Sequence, residues 1–401
     1  MNRIIIFALA VIISACSVKD QSIGDNSIVI FNEEAVNFNP AENCTNLDEK
    51  IIKVDNGRIL LKKVQLPKYS KQATVSVQAE IKSAGDPWDK TGSLFLIPQS
   101  SDINFLLDSD FKAQFENQNI EFPGVVPTEN YKPSIEILRF MTPFGIGYYS
   151  NDPNLMKRKP VYIPHWEEKV VWEQDVTQLI SELEGEVWIG AFIDVWTQGG
   201  YEFSAKLNYT ESKAEVDPIT KTQVIPLVNT VRYIEPEKLY DGFSRGNLEY
   251  TFELPANYKS AQLQYITTGH GGHSGGDEFV KKENIITVNN EIIYSDIPWR
   301  DDCASFRRFN PHSGVWTEKR TAVMGNLKTG DTKELEIDEF IASSDYSRSN
   351  WCPGSQVEPF VIELNNLKKG ENTISISIPQ AQQEKENELN HWNVSAYITL
   401  Q

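Results

Sequence analysis

Apolar and polar residues alternate with a period of two in many short segments of this chain. Five such segments lie in the first half, at 73–81, 93–97, 135–140, 186–195 and 201–207. Six lie in the second half, at 247–254, 261–267, 285–288, 291–294, 373–378 and 394–400. This period is typical of strands with one buried face, and their Val, Ile, Phe and Tyr residues favour strands. Helical periodicity is weak, with 175–183 the best short candidate, so the pattern predicts an all-β protein.

Turn residues and one polar stretch divide the predicted strands into two groups. Asn289 and Asn290 separate two alternating segments, which predicts a tight two-residue hairpin turn because Asn tolerates positive φ angles. The stretch 210–222 is polar and contains a proline, so we expect a linker with a domain boundary near residue 217. Many short strands joined by turns are typical of β-sandwiches and jelly rolls.

The N-terminus has a different pattern. Arg3 precedes an apolar run over 4–13, which is shorter than the ~20 residues that span a bilayer and is typical of a signal peptide. Ser14 and Ala15 followed by Cys16 form a lipobox, so we expect 1–15 to be removed and Cys16 to carry the lipid. An ordinary signal peptide with a chance cysteine is the alternative. Residues 16–45 are then the lipidated cysteine and a tether, ahead of domains over 46–216 and 217–401.

The net charge excludes some classes of binding partner, and the cysteines bear on the cellular compartment. The formal net charge of -18 argues against nucleic acid or an anionic membrane surface as a partner, so membrane contact is expected only through the lipid. Ser17 after the lipidated cysteine favours the outer membrane, facing either the periplasm or the cell surface. Apart from Cys16 there are three cysteines, Cys44, Cys303 and Cys352. In an oxidising compartment an odd number leaves one thiol over, and the count does not say which.

Two segments place carboxylates beside tryptophan. Asp86 and Asp89 flank Trp88 in a loop between strands, an arrangement suited to acid–base chemistry on a sugar, although Asp and Pro also form ordinary turns. Asp194 lies in an apolar strand two residues before Trp196. A buried carboxylate is costly unless it is paired or catalytic, so this strand face is either a binding surface or simply exposed to solvent.

The third segment, 268–278, contains five glycines among eleven residues. Glycines permit close approach of a ligand to the backbone. His270 and His273 lie there beside Asp277 and Glu278, which suits a metal cluster, a carbohydrate-binding loop or a merely flexible one. The signatures of phosphate-binding loops and dinucleotide-binding folds are absent from the sequence.

These segments occur in an order that resembles the peptide:N-glycosidase F family, bacterial amidases that remove whole glycans from asparagine. The resemblance starts at Trp88 and Asp89, passes through 137–144 and 194–204, and includes the glycine-rich run up to Glu278. Its most specific part is Arg348-x-x-Trp351-Cys352-Pro353-Gly354. It implies two side-by-side antiparallel jelly-roll β-sandwich domains, with the active site in the cleft between them.

The resemblance also implies roles for individual residues. Asp89 falls on the principal catalytic carboxylate, Glu278 on the second, and Asp194 on a third where the family has Glu. Arg348 falls on a site arginine. The expected substrate contacts are Trp88, Trp196, His270 and Trp351. The expected disulfide is Cys303–Cys352, which would leave Cys44 as a thiol. The implied reaction needs no metal and no other cofactor, and its substrates are N-glycosylated proteins or glycopeptides; we expect a monomer.

Some positions depart from the family pattern. Asp86, Pro87 and Val280 stand where the family has cysteines of two further disulfides, and 102–132 is predicted to be an insertion. Two other functions therefore stay open. One is a lipid-anchored glycan-binding protein without catalysis, and the other is a metal-dependent double jelly-roll oxidoreductase that uses His270 and His273.

The lipobox predicts the behaviour of a Cys16→Ala variant. Without the acceptor thiol the chain cannot receive its lipid, so we expect an unprocessed or soluble protein. Detergent phase partitioning of cell extracts measures this, with the wild-type chain as the control. Unchanged membrane association of the variant would contradict the assignment of Cys16.

Overall fold

The computed structural model describes residues 25–42, 46, 49–69, 72–101, 122, 124–155, 163–211, 222–231, 242–254, 258–273 and 275–401. The signal segment, Cys16, Cys44, residue 217 and most of the predicted insertion lie outside these ranges. Antiparallel strands dominate, which confirms the all-β expectation. The helices found in the described ranges are short 3-10 segments: Asp55–Gly57, Thr177–Leu179, Gly242–Ser244, Cys303–Phe309 and Ser343–Asp345. No helix there is long and apolar enough to cross a bilayer.

Two sheets form the first sandwich. The outer sheet has the strand order β1 (Asn26–Val36), β9 (Tyr201–Glu211), β4 (Ala73–Ser83) and β7 (Val170–Asp175). The other sheet has the order β17 (Gln356–Val357), β6 (Ile135–Met141), β5 (Thr91–Ile97), β8 (Gly185–Ile193), β3 (Ile59–Leu66) and β2 (Ile52–Val54). In β4 the alternation places Val75, Val77, Ala79 and Ile81 in the core. Strands β5 and β6 are buried on both faces.

The second sandwich also has two sheets. One has the order β10 (Gln223–Asn229), β20 (His391–Leu400), β12 (Ala261–His270) and β18 (Phe360–Glu363). The other has the order β11 (Leu248–Leu254), β19 (Gly370–Ser377), β13 (Asn284–Val288) and β14 (Glu291–Asp296). The predicted turn between β13 and β14 is confirmed, with φ angles of 53° at Asn289 and 68° at Asn290. Strands β15 (Val315–Gly325) and β16 (Thr332–Ala342) form a separate hairpin.

The structure differs from the sequence-based prediction in two segments. The tether predicted over 16–45 is partly a strand, because β1 pairs with β9 from Asn26↔Tyr209 to Val36↔Tyr201. The first sandwich therefore begins well before residue 46. Two register shifts and the positive φ of Glu33 interrupt the alternation of β1 and hide it in the sequence. The predicted helix at 175–183 is only a 3-10 turn following β7.

A buried arginine, paired with a glutamate on its own strand, joins the two sandwiches. Arg139 on β6 pairs with Glu136 at 2.5 Å, and both side chains are fully buried. The same guanidinium donates to the backbone oxygen of Asn393 on β20 at 2.6 Å and to Thr268 Oγ1 on β12 at 3.3 Å. Strand β17, from the second half of the chain, also extends the first sandwich by pairing with β6. Backbone and charged hydrogen bonds thus hold the two sandwiches in one arrangement.

Replacing Arg139 by methionine tests this junction. Removing one partner leaves the Glu136 carboxylate buried without its cation, so we expect the free energy of unfolding to fall by about 3–5 kcal/mol. Denaturant unfolding followed by fluorescence measures the loss. The double variant Glu136→Gln/Arg139→Met, which removes both charges, should recover part of it. Wild-type stability of the single variant would show that Arg139 does not hold the sandwiches together.

Candidate active site

The guanidinium of Arg348 brings together one carboxylate from each sandwich. Its Nε donates to Glu278 Oε1 at 2.7 Å, and Nη2 lies 3.8 Å from Asp89 Oδ2. Asp89 is on the loop that leads into β5, and Glu278 is on the loop that follows β12. The Arg348 side chain is 2% exposed, against 10% for Glu278 and 18% for Asp89. The two acids and the arginine predicted from the sequence therefore meet where the two sandwiches join.

The backbone around Arg348 is fixed by covalent and hydrogen bonds. Arg300 and Arg348 exchange two backbone hydrogen bonds, at 2.9 and 3.0 Å. The predicted disulfide Cys303–Cys352 is present, with 5.1 Å between the Cα atoms, and it fastens the segment four residues after Arg348. The guanidinium carbon lies 4.9 Å from the centre of the Trp351 ring, so Trp351 is part of this cluster.

Asp86 holds the loop that carries Asp89. Its fully buried carboxylate accepts from the Trp88 backbone N–H at 2.8 Å, from Thr197 Oγ1 at 2.8 Å and from the Tyr201 hydroxyl at 3.2 Å. Asp86 is therefore a structural group that fixes the backbone of this loop.

Ser349 and Asp277 hold the loop that carries Glu278. Ser349 Oγ donates to the Asp277 backbone oxygen at 2.7 Å, and the Ser349 N–H donates to the Glu278 backbone oxygen at 2.9 Å. The buried Asp277 carboxylate pairs with Lys282 and accepts from Trp392 Nε1 at 2.9 Å. The backbone N–H of Gly271 donates to the Glu278 carboxylate. A glycine is required there because φ is +139° and a Cβ would meet Asn390 Oδ1 at 2.4 Å.

Burial determines the protonation of the two acids. It raises the pKa of Glu278 to about 7, because desolvation and the charge of Asp89 together outweigh the attraction of Arg348. Burial also raises the pKa of Asp89, against the opposing charges of Arg348 and Lys90. Two close carboxyls beside one cation do not both ionise readily. Near neutral pH the pair can therefore offer one proton donor and one proton acceptor at the same place.

Asp194 and Trp196 lie in a second cluster around Arg58. Trp196 Nε1 donates to Asp194 Oδ1 at 3.1 Å, and Arg58 Nη1 lies 3.4 Å from the same oxygen. The Arg58 guanidinium is buried and lies 4.2 Å from the centre of the Trp196 ring, which is 41% exposed. The Asp194 backbone N–H donates to the Thr91 oxygen at 2.9 Å, two residues from Asp89.

The two remaining predicted contact residues differ in accessibility. Trp88 is 55% exposed, whereas His270 is buried between the rings of Trp351 and His391, at centroid distances of 5.3 and 4.8 Å. Burial, His391 and Arg139 lower the pKa of His270 well below its usual value, so the ring is neutral. His270 Nε2 bonds to Thr268 Oγ1 at 2.8 Å.

His273 and its surroundings do not favour the metal hypothesis. Its Nε2 bonds to Asn390 Oδ1 at 3.0 Å. Across the described ranges, no three or more His, Cys, Asp or Glu side chains are grouped so that they can hold a metal ion.

Three residues of these clusters were missed by sequence reasoning. Arg58 was one of them, although a basic residue directly before the apolar run 59–61 is a pattern that can indicate a buried cation. Phe279 and Tyr346 border Arg348 as well, and no periodic pattern marks either. Phe279 lies 5.1 Å from the guanidinium carbon, and the Tyr346 backbone oxygen accepts from Nη1 at 2.7 Å.

A paired acid site between two β-sandwiches defines this chain as an all-β protein equipped for acid–base chemistry. Models of the N-terminal and C-terminal parts of peptide-N-glycosidase F match residues 27–209 and 238–399. Because these matches together cover more than half of the chain, the protein belongs to the peptide-N-glycosidase F family.

Solved structures agree with this assignment. PNGF-II is 36% identical with a TM-score of 0.77, and the match covers 94% of this chain and 66% of the PNGF-II chain, just under two thirds of its length. PNGase F, a glycosylasparaginase from Flavobacterium meningosepticum, is 15% identical with a TM-score of 0.57 and covers 94% of this chain and 96% of its own. At that identity the second likeness shows the fold alone. No curated protein sequence matches this chain.

The raised pKa of Glu278 gives a prediction for titration. A carboxyl with a pKa of about 7 stays protonated below that pH and ionises above it, whereas an ordinary Glu ionises at about 4.3. Difference infrared spectroscopy should show a protonated carboxyl band that disappears as the pH rises through neutrality. The band should be missing in Glu278→Gln. In Asp89→Asn it should disappear at lower pH, because the neighbouring negative charge is gone. A wild-type midpoint near the ordinary value would contradict the assignment.

Proposed function

We propose that this protein hydrolyses the side-chain amide of glycosylated asparagine. The products are the intact N-linked glycan, released as a glycosylamine that loses ammonia, and aspartate in the polypeptide. The observation that carries this proposal is the meeting of Asp89 and Glu278 at the Arg348 guanidinium, with the pKa of Glu278 raised to about 7. Family membership gives the same expectation.

The three groups suit the separate steps of amide hydrolysis. Ionised Asp89 accepts a proton from water as the water oxygen attacks the amide carbon. The Arg348 guanidinium offers a fixed positive charge to the oxyanion of the tetrahedral intermediate. Protonated Glu278 gives its proton to the leaving nitrogen as the carbon–nitrogen bond breaks. Proton transfer between the two acids then restores the starting state.

The electrostatics of the site favour catalysis over simple glycan binding. Keeping two carboxyls buried beside each other costs free energy, and a binding protein gains nothing from a proton shared between them. Trp88 and Trp196 expose ring faces on which sugar rings can pack. The two tryptophans contribute to binding the glycan, and the proton transfers remain the role of Asp89 and Glu278.

The proposed location follows from the N-terminal segment alone. Residues 1–15 form a signal peptide, Cys16 carries the lipid, and Ser17 directs the protein to the outer membrane. N-glycosylated proteins or glycopeptides outside the inner membrane are then its substrates, and the lipid is its contact with the membrane. We propose that it acts as a monomer without a cofactor.

Asp89→Asn is the direct test of the proposed chemistry. The variant keeps the shape of the side chain and removes the base, so glycan release should fall by roughly 10²–10⁴-fold. Mass spectrometry of a glycopeptide measures the reaction by the conversion of Asn to Asp at the glycosylated position.

Two controls show whether the loss of activity is specific to Asp89. Asp194→Asn should lose less activity, because Asp194 pairs with Arg58 instead of Arg348. A chelator should leave the rate unchanged. Full activity of Asp89→Asn would refute the proposed base. A wild-type protein that binds the glycopeptide without ever converting Asn to Asp would establish the binding function instead.

A further inference from the structure

The hairpin of β15 and β16 extends away from both sandwiches. Its register runs without a shift from Val315↔Ala342 to Gly325↔Thr332. Eleven residues per strand at about 3.4 Å each give a length of roughly 35 Å. Within the ranges that the structure describes, neither strand pairs with a third strand. Both outer edges therefore carry backbone groups that another extended chain can pair with.

The two faces of the hairpin differ in polarity. Side chains directly opposite each other in an antiparallel pair lie on the same face. One face therefore carries the apolar residues Trp316, Ala322, Met324, Leu335, Ile337 and Ile341, and we call it the apolar face. Trp316, Met324 and Ile337 are 41%, 51% and 38% exposed.

The apolar face also has a polar group near its middle. There Arg320 lies between Glu318, at 3.2 Å, and Glu339, at 3.0 Å. The opposite face carries mainly charged residues and Thr, and its apolar members are Val315, Val323, Phe340 and Ala342. An exposed apolar face of this size marks an interaction surface.

The root of the apolar face lies against the candidate active site. The Trp316 ring is 4.7 Å from that of Tyr346 and 5.8 Å from that of Phe279, the residue after Glu278. Glu318 forms a hydrogen bond with the Tyr346 hydroxyl. Arg348 Nη2 donates to the backbone oxygen of Ser343, directly after β16, at 2.9 Å. The arginine that holds the two acids thus also holds the root of the hairpin.

We propose that the apolar face binds the polypeptide on one side of the glycosylated asparagine. This inference rests on the proposed function. The reacting amide belongs to a side chain, so the polypeptide must pass within the length of one side chain of Asp89 and Glu278. From that point Trp316, which contacts the residue after Glu278, is the first of the exposed apolar side chains along the hairpin. An extended peptide with apolar residues matches this surface and can pair with a hairpin edge.

The charge of the hairpin argues against a membrane as the occupant. Between Val315 and Ala342 there are four basic residues, Lys319, Arg320, Lys328 and Lys333. The same segment has six acidic residues, Glu318, Asp331, Glu334, Glu336, Asp338 and Glu339. The resulting excess of two negative charges repels an anionic lipid surface.

Two double variants on opposite faces of the hairpin test the proposal. Met324→Thr/Ile337→Thr removes apolar side chains from the apolar face, and Val323→Thr/Phe340→Thr is the matched control on the other face. The substrates are a long denatured glycopeptide with apolar flanks and a short glycopeptide with one residue on each side. For the apolar-face variant we expect KM for the long substrate to rise several-fold with kcat unchanged. Turnover of the short substrate should stay at the wild-type value, and the control should match the wild type on both.

A binding measurement separates this inference from the proposed function. Fluorescence anisotropy with the long peptide in non-glycosylated, labelled form needs no hydrolysis. Weaker binding to the apolar-face variant alone supports the inference, even if the wild type releases no glycan and the proposed amidase activity fails. Equal behaviour of the two variants would overturn it, as would an equal loss on both substrates. The inference would also be overturned if the apolar-face variant kept wild-type peptide binding and instead changed its oligomeric state or its binding to anionic vesicles.

Discussion

The positive charge of Arg348 makes it possible for two carboxyls to share one buried place. Without it, Asp89 and Glu278 would repel each other in surroundings that already disfavour charge. With it, one of the two can ionise while the other keeps its proton near neutral pH. Nη1 and Nη2 of the same guanidinium donate hydrogen bonds to the backbone oxygens of Tyr346 and Ser343. The position of the guanidinium is therefore fixed by these backbone oxygens and does not depend on the two acids alone.

Such a site demands a fixed relation between two domains, because each supplies one acid. The hydrogen bonds from Arg139 to Asn393 and Thr268 and the addition of β17 to the first sandwich provide that relation. Local anchoring is supplied differently in the two acid loops. Asp86 and Asp277 are buried carboxylates that accept several hydrogen bonds each and fix the backbone of the two loops.

How far the sequence predicted this structure depends on the regularity of each segment. Strands such as β4 and β9 were predicted because one face is buried along almost their whole length. The strand β1 was missed because its register shifts twice. The hairpin β15–β16 was missed because both of its faces are largely exposed, so burial leaves no simple alternation in the sequence.

The site was predicted through resemblance rather than periodicity, since contacts between distant loops leave no periodic trace. The same limit explains why Arg58 escaped notice. Its partners Asp55 and Asp194 lie 3 and 136 positions away in the chain, and only the folded sheet brings Asp194 beside it. The disulfide Cys303–Cys352, by contrast, could be named in advance because Cys352 belongs to the contiguous and specific string 348–354 that carries the resemblance, and the resemblance implies Cys303 as its partner.

The exposed aromatic residues around the acids divide between the two halves of the chain. Trp88 and Trp196 lie on loops of the first sandwich, whereas Trp316 lies at the root of the hairpin in the second half. The proposed function requires the protein to hold two chemically different chains, a glycan and a polypeptide, where they meet at one amide. Sugar rings can pack on the exposed tryptophans of the first sandwich, and an extended peptide can pair with the unpaired backbone edges of the hairpin. Arg348 contacts both the acids and the root of the hairpin.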